Sequence, residues 1–144
     1  KELQDTIDCF FTGRISSPAR DYTGKDIENW KYWENIRTGK LINAPMFNEY
    51  YKGESYEPVT KSYYMGMAGS LEIGVYHNNK IKPIGYLSGL SEEIKMSYDK
   101  YKMRVIEVTA MQLTDDKMLR HPKFIRFRDD KQPQDCLWEQ IEQL

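Results

Sequence analysis

The stretch SLEIGVYHNNKIKPIGYL, residues 70–87, predicts a β-hairpin. From Leu71 to Tyr76 apolar residues recur at every second position, which is the period of a half-buried strand. Asn78 and Asn79 supply the turn signal between the two halves, because asparagine tolerates the backbone that tight hairpin turns require. Two adjacent antiparallel strands are therefore the starting point for the fold.

Further elements are predicted on both sides of this hairpin. A first strand covers Thr6 to Arg14, TIDCFFTGR, and a helix with Ser91 as its N-cap runs to about Tyr101. Arg104 to Leu113 has the composition of a central strand, and Lys123 to Arg128 forms the last strand. A short C-terminal helix ends in LWEQIEQL. Five strands with a helix between the third and fourth predict a mainly β protein, a five-stranded Greek-key barrel of the OB type.

A long insertion, residues 15–65, separates the first strand from the hairpin. Asp26 to Arg37 is a candidate helix within it, and the rest is irregular. Aromatic residues are interleaved with lysines along this insertion, as at Trp30, Lys31 and Trp33. Such residues build a small satellite core under a long loop, or else stack on bases and lie against a DNA backbone.

Length and charge place limits on the class of protein. The 144 residues suit one domain spanning 1–144. Its 21 Lys and Arg against 22 Asp and Glu give a net charge of -1, so any basic surface must be local. The chain has no apolar run of membrane-spanning length, and its first residues do not resemble a secretory signal. We expect a cytoplasmic or otherwise intracellular protein with no membrane partner. Because the chain lacks an initiator Met, we also expect a fragment of a longer protein.

The cysteines and histidines do not predict a metal site. Cys9 and Cys136 lie near opposite ends of the chain, and His77 and His121 fall in predicted turns without partners at metal-ligand spacing. Buried or free thiols and structural histidines are the expected roles. Most of the methionines are interpreted as core fillers, namely Met65, Met67, Met96, Met103 and Met111.

The charged stretch LRHPKFIRFRDDKQPQDC, residues 119–136, carries the candidate chemistry. Arg126 and Arg128 end a strand that leads into Asp129, Asp130 and Lys131. A guanidinium and an ammonium close together make a polyphosphate clamp, and Asp130 could fix the geometry of either cation. On charge pattern alone the stretch is also compatible with a solvated turn containing local ion pairs.

Arg128-Asp129-Asp130-Lys131 resembles the Arg-x-Asp-Lys signature, motif VI, that ends the OB domain of ATP-dependent DNA ligases. The residues before it, VIEVTAMQLTDDKMLRHPKFIRF, resemble the strand and the Leu-Arg-His-Pro turn that precede the motif in that family. GSLEIGVYHNNKIKPIGYLSGLSEE resembles the family's Gly-Ser-led hairpin, and TIDCFFTG resembles its first OB strand. These segments cover both ends and the second half of the chain. The insertion departs from the family pattern.

The resemblance implies a shared active site. In that family an adenylation domain with a Lys-x-Asp-Gly motif takes AMP from ATP and passes it to the 5′-phosphate of a nick. This chain contains no Lys-x-Asp-Gly, so alone it is expected to be inactive. By resemblance Arg128, Asp130 and Lys131 are the catalytic residues, with Arg128 and Lys131 on the β and γ phosphates of ATP. Lys1 is a candidate remnant of a motif that binds the nucleotide. ATP and Mg²⁺ are the implied cofactors of the parent enzyme.

The same resemblance implies two partners, nicked duplex DNA and the adenylation domain of the same polypeptide. Candidate contacts to DNA phosphates are Arg14, Lys61, Lys82 and Arg126, each of which is otherwise an ordinary surface charge. Replication, repair and recombination are the processes in which such a ligase acts. The alternatives are a non-catalytic OB module that binds single strands, and the OB domain of an RNA ligase or an mRNA capping enzyme.

Overall fold

The computed structural model describes residues 5–44, 55–110 and 113–142 of the chain. These residues fall into two units. The main unit comprises Lys1–Ser16 and Ala68–Leu144, and the inserted unit comprises Ser17–Met67.

Eight strands and three short α-helices lie within the described ranges. In chain order the strands are β1 Asp5–Ser16, β2 Tyr32–Asn35, β3 Leu41–Asn43, β4 Tyr56–Pro58, β5 Ser70–His77, β6 Lys80–Leu87, β7 Val105–Ala110 and β8 Lys123–Phe127. The α-helices are α1 Lys61–Met65, α2 Glu92–Met96 and α3 Glu139–Glu142. Single turns of 3₁₀ helix occupy Ile27–Asn29, Tyr98–Tyr101 and Pro133–Asp135.

The main unit is built on one antiparallel sheet with the order β6-β5-β1-β7-β8. The long central strand β1 pairs with β7 from Asp5 to Phe10 and with β5 from Phe10 to Ser16. Its register shifts between Phe11 and Ile15, where Gly13 has a φ of 105°. A Cβ at Gly13 would also lie 2.9 Å from the Lys102 side chain, so glycine permits this irregularity in the β1–β5 pairing.

The two edges of this sheet meet at the segment that precedes β8. The backbone N–H of Leu119 donates to the carbonyl oxygen of Ile84, in β6, over 2.7 Å. This contact joins the β8 side of the sheet to β6, and the strand order is that of an OB barrel. The predicted mainly β, OB-like fold is confirmed.

The predicted hairpin and helix cap are confirmed as well. Asn78 and Asn79 have φ values of 54° and 64°, the left-handed backbone of a two-residue turn between β5 and β6. The Ser91 hydroxyl accepts a hydrogen bond from the Ile94 N–H over 3.3 Å, which satisfies a donor in the first turn of α2. The 3₁₀ turn at Tyr98–Tyr101 completes the helical segment.

Apolar side chains fill the interior of the main unit. α2 contributes Ile94, and α3 contributes Ile141. The largest fully buried side chains of this core are Phe10, Phe11, Ile73, Ile84, Leu87, Ile106 and Ile141. Fully burying each such side chain contributes about 1.5–3 kcal/mol, and this core fixes the strands that carry the charged residues described below.

The inserted unit has a small sheet and an apolar cluster of its own. Its strand order is β3-β2-β4, and Trp33 packs with Ile42 at the centre of the cluster. The indole N–H of Trp30 donates to the Val59 carbonyl oxygen over 2.7 Å, and the Trp30 ring stacks on Tyr22 with centroids 3.7 Å apart. The satellite-core interpretation of these aromatic residues therefore holds for the described part of the insertion.

The predicted helix over Asp26–Arg37 is wrong. Only Ile27–Asn29 is helical, as a single 3₁₀ turn, and the chain then continues into β2. Trp33 lies opposite Ile42 on one side and Pro58 on the other. Cross-strand packing of aromatic residues outweighs a weak local preference for helix.

The interpretation of the methionines as core fillers is wrong for two of them. Met65 and Met96 are exposed, and each is the last residue of a short helix, α1 or α2. Met67 is buried and Met103 packs partly buried against the core, as predicted. Met111 lies outside the described residues.

In the part of the chain that the structure describes, none of the helices has the length and apolar character needed to cross a membrane.

Candidate functional site

Arg128 and Lys131 lie in the turn that follows β8. The Arg128 N–H donates to the Val105 carbonyl oxygen over 2.8 Å, so the sheet fixes the backbone where the turn begins. The Lys131 N–H donates back to the Arg128 carbonyl oxygen over 3.3 Å. A 3₁₀ turn with a capping box between Gln132 and Asp135 follows directly. The cations are thus attached to ordered backbone at both ends of a tight turn.

Both cations contact one carboxylate, that of Asp8 in β1. Arg128 Nη1 donates to Asp8 Oδ1 over 3.2 Å, and Lys131 Nζ donates to Asp8 Oδ2 over 2.5 Å. The Asp8 side chain is only 12% exposed. Charge-assisted hydrogen bonds at a site shielded from water are stronger than those at the surface. The carboxylate therefore holds the guanidinium and the ammonium side by side.

The backbone of Asp8 is fixed as firmly as its side chain. Gln140 of α3 accepts from the Asp8 N–H over 3.2 Å and donates to the Asp8 carbonyl oxygen over 2.9 Å. On the other side of β1, Asp8 lies opposite Glu107 of β7. Asp8 is consequently part of the rigid sheet.

Asp8 was not among the residues predicted from the sequence. The signal that marks it is a carboxylate inside the apolar run Ile7 to Phe11, since a buried charge requires a partner. The sequence alone does not identify that partner, because Arg128 is 120 residues away along the chain.

Asp130 occupies the other edge of the Arg128 guanidinium. Arg128 Nε and Nη2 donate to its two carboxylate oxygens, each over 3.1 Å. These hydrogen bonds lower the pKa of Asp130 to about 2 and raise the pKa of Arg128. Of the two cations that Asp130 could orient, it contacts Arg128, whereas Lys131 is held by Asp8.

Arg126 forms a second ion pair beside this group. Its Nε donates to Glu107 Oε1 over 2.7 Å, and this hydrogen bond lowers the pKa of Glu107. Arg126 lies opposite Glu107 in β8, and Glu107 lies opposite Asp8 in β1. The three charged residues therefore form a row across the sheet that leads to the Arg128 turn.

Two of the other predicted binding residues, Arg14 and Lys82, belong to other parts of the main unit. Arg14 is exposed near the end of β1, and the Lys82 ammonium lies over the Trp138 ring, 4.7 Å from its centroid. Lys61 begins α1 in the inserted unit. Lys1 lies outside the described residues.

Both thiols lie in the protein interior. Cys9 and Cys136 are buried and unpaired with each other, and burial raises the pKa of Cys9 and raises that of Cys136 to about 12. Both thiols are therefore protonated at neutral pH. Within the described ranges, His, Cys, Asp and Glu form no group of three or more that could hold a metal ion.

Taken together, the turn presents two cations whose charges are balanced by two carboxylates of unequal exposure. The side chain of Asp8 is 12% exposed and that of Asp130 is 67% exposed. An anion that approaches from solvent therefore meets the edge of Arg128 that Asp130 occupies, and Lys131 is the second, partly exposed cation of the turn. The arrangement suits the binding of a polyphosphate rather than proton transfer or nucleophilic attack.

A scan against protein-family models finds no family that matches this chain, and a search of curated proteins finds no match. Among solved structures, the chain is similar to the crystal structure of the ligase domain of LigD from M. tuberculosis, with a TM-score of 0.46 and 13% sequence identity. The similarity covers 92% of this chain and 37% of that chain. The chain thus spans little more than a third of the length of the structure that it matches.

Proposed function

We propose that this chain is the OB domain of an ATP-dependent DNA ligase and supplies the polyphosphate clamp for self-adenylation. The observation that carries the proposal is the pairing of Arg128 and Lys131 on Asp8 at the end of the last OB strand. The order of the motifs along the chain supports it, because the Arg-x-Asp-Lys signature resembles motif VI of that family. The five-strand sheet order agrees with an OB domain.

In the proposed reaction the lysine nucleophile belongs to an adenylation domain of the same polypeptide. That lysine attacks the α-phosphate of ATP, and pyrophosphate leaves. Arg128 and Lys131 contact the β and γ phosphates, where negative charge accumulates as the bond to the α-phosphate breaks. Placing fixed cations where charge develops stabilises the transition state more than the bound substrate.

The donor set fits the phosphate chain of ATP. A guanidinium grips phosphate oxygens with two parallel hydrogen bonds, and an ammonium adds a compact charge beside it. Mg²⁺ is expected to arrive with the nucleotide, since the two carboxylates beside these cations, Asp8 in β1 and Asp130 in the turn, already accept hydrogen bonds from Arg128 and Lys131. The metal supplies additional charge neutralisation on the phosphates.

Nicked duplex DNA is the proposed second ligand. Arg126 ends the row of charges on β8 and is exposed, and Arg14 and Lys82 add cations elsewhere on the main unit. Lys61 adds one on the inserted unit. Contacts from such residues to phosphates are independent of sequence and weaken with salt. The proposal places the enzyme inside the cell, where ATP and DNA are found, in replication, repair or recombination.

Substitution of the two cations in the full-length ligase tests the adenylation role. Arg128→Ala or Lys131→Ala should lower the rate of self-adenylation by about a hundredfold or more, the scale for removing one transition-state donor. Sealing of nicks that already carry AMP should be nearly unchanged, because the pyrophosphate has left by then. Rapid-quench assays with labelled ATP and with pre-adenylated nicks measure the two steps separately.

Lys100→Ala is the control, because Lys100 is an exposed lysine outside the site. Unchanged adenylation in the Arg128 and Lys131 variants would remove the proposed role. Tight binding of the chain to single strands in preference to nicked duplex would favour the alternative of a non-catalytic OB module. Sealing of RNA, or transfer of GMP to RNA ends, would favour an RNA ligase or a capping enzyme.

A further inference from the structure

The two carboxylates on Arg128 differ in a way that the motif itself does not explain. Asp8 belongs to the sheet and is 12% exposed, whereas Asp130 lies in the turn and is 67% exposed. Asp8 is also the partner of Lys131, and the Gln140 side chain bonds both its backbone N–H and its carbonyl oxygen. Asp130 contacts Arg128 alone among the described cations.

We propose that Asp8 is the positioning residue of the Arg128–Lys131 pair, and that Asp130 is a placeholder that the polyphosphate displaces from Arg128. This inference rests on the proposed function, which identifies the anion as the β and γ phosphates. It adds a residue on β1 to the clamp and assigns opposite roles to the two carboxylates.

The geometry of the guanidinium supports the exchange. The Nε–Nη2 edge donates two parallel hydrogen bonds to Asp130, each 3.1 Å long. This is the same bidentate arrangement that a phosphate group accepts from arginine. Asp130 therefore occupies the position of two phosphate oxygens, and a phosphate cannot bind that edge until Asp130 leaves.

Exposure determines which carboxylate leaves. An ion pair with an exposed partner is weak, because water and salt compete for both charges. Asp130 can rotate into solvent with little loss, whereas removal of Asp8 would leave two cations facing each other in a partly buried site. Arg128 thus keeps its Nη1 bond to Asp8 while its other edge changes partner.

Displacement also changes the charge of the turn. With both carboxylates in place, the charges of Arg128 and Lys131 are cancelled. When Asp130 swings away, one positive charge becomes available to the incoming phosphates. Asp8 holds the guanidinium in its binding orientation before and during binding, whereas Asp130 only occupies the edge that the phosphate takes.

NMR of the 144-residue chain with inorganic pyrophosphate as the probe tests both roles. The heteronuclear NOE of the Arg128 Nε–H reports the order of the guanidinium. It should remain high in Asp130→Asn and be lost in Asp8→Asn. The reverse result, order lost in Asp130→Asn and kept in Asp8→Asn, would overturn the assignment.

Measurement of pyrophosphate affinity is the second test of the two roles. Asp130→Asn should bind pyrophosphate about twofold to fivefold more tightly, because the competing ion pair is weakened by an amount typical of exposed pairs. Asp129→Asn is the matched control. It removes the same charge one residue earlier, where the partner is Arg104 rather than Arg128. Equal tightening in both variants would indicate a general charge effect and overturn the placeholder role.

If Asp8→Asn fails to fold, the proposal can be tested on the wild-type chain alone. Addition of pyrophosphate should shift the carboxyl ¹³C signal of Asp130 and leave that of Asp8 in place. An unchanged Asp130 signal would refute the exchange. Failure of the exchange can be told apart from failure of the proposed function. If adenylation does not require Arg128, the proposed function is disproved, but the exchange of Asp130 for pyrophosphate can still be observed.

Discussion

At the scale of single residues, the Arg128–Asp130 pair makes the folded protein sensitive to acid. The pKa of Asp130 falls from 3.8 to about 2 because Arg128 donates two hydrogen bonds to its ionised form. A carboxyl whose pKa is lower in the folded state stabilises that state fully at pH values above its pKa in the unfolded chain. The contribution is lost as pH falls through the folded pKa.

Thermal unfolding across this range tests the linkage. Between pH 4 and pH 2, the midpoint of wild type should fall more steeply than that of Asp130→Asn, which has no carboxyl to protonate at this position. The difference is expected to be small because Asp130 is exposed. Differential scanning calorimetry at several pH values measures it, with Asp129→Asn as the control. Parallel curves for wild type and Asp130→Asn would contradict the expectation.

The residues of the clamp were predictable to different degrees. Arg128 and Lys131 stand in one local motif, so a linear reading of the chain finds them. Asp8 is recognisable only as a charge within an apolar strand, because its contact with them depends on how β1, β7 and β8 align. Strand register is a property of the whole sheet, and no local pattern specifies it.

At the scale of elements, the turn between β5 and β6 is a site where one residue controls stability. Asn79 has a φ of 64°, a conformation that glycine adopts freely and β-branched residues resist. Asn79→Gly should leave the free energy of unfolding unchanged or raise it by up to about 1 kcal/mol. Asn79→Val should lower it by about 1–2 kcal/mol.

Urea denaturation measures both variants of Asn79. Lys80→Val is the control, because Lys80 is an exposed strand residue next to the turn. Valine suits a strand, so this change should stay within about 0.5 kcal/mol of wild type. An Asn79→Val variant as stable as Lys80→Val would show that the turn does not constrain the hairpin.

The elements of the main unit were predictable because the hairpin alternates and has an asparagine turn, and the other strands are rich in β-branched and aromatic residues. In the inserted unit, β2 to β4 are three or four residues long. A strand this short has too few positions to display a two-residue period. Its existence depends on pairing with neighbours, which explains why a helix was predicted over Asp26–Arg37.

At the scale of the whole molecule, the main unit should fold without the inserted unit. Ser16 at the end of β1 lies opposite Ser70 in β5, and the Gly69 N–H donates to the Ser16 carbonyl oxygen over 2.8 Å. The two ends of the insertion therefore leave neighbouring antiparallel strands. A two-residue turn of the Asn-Gly type spans such a gap.

Replacement of residues 17–67 by Asn-Gly should give a cooperatively folding protein. Circular dichroism during heating and the dispersion of NMR amide signals measure this directly. Pyrophosphate binding should be retained, because Asp8, Arg128 and Lys131 all belong to the main unit. A molten or aggregated product would mean that the main unit depends on the inserted unit for its stability.

The contact between Asp8 and Arg128 spans 120 positions of the chain and so joins its first strand to its last turn. A contact of such long range forms only when the entropy cost of closing a large loop has been overcome. A nascent or partly denatured chain therefore displays Arg128 and Lys131 as separate, solvated cations. In the proposed function, the ability to bind a polyphosphate would therefore be present only in the completed native structure.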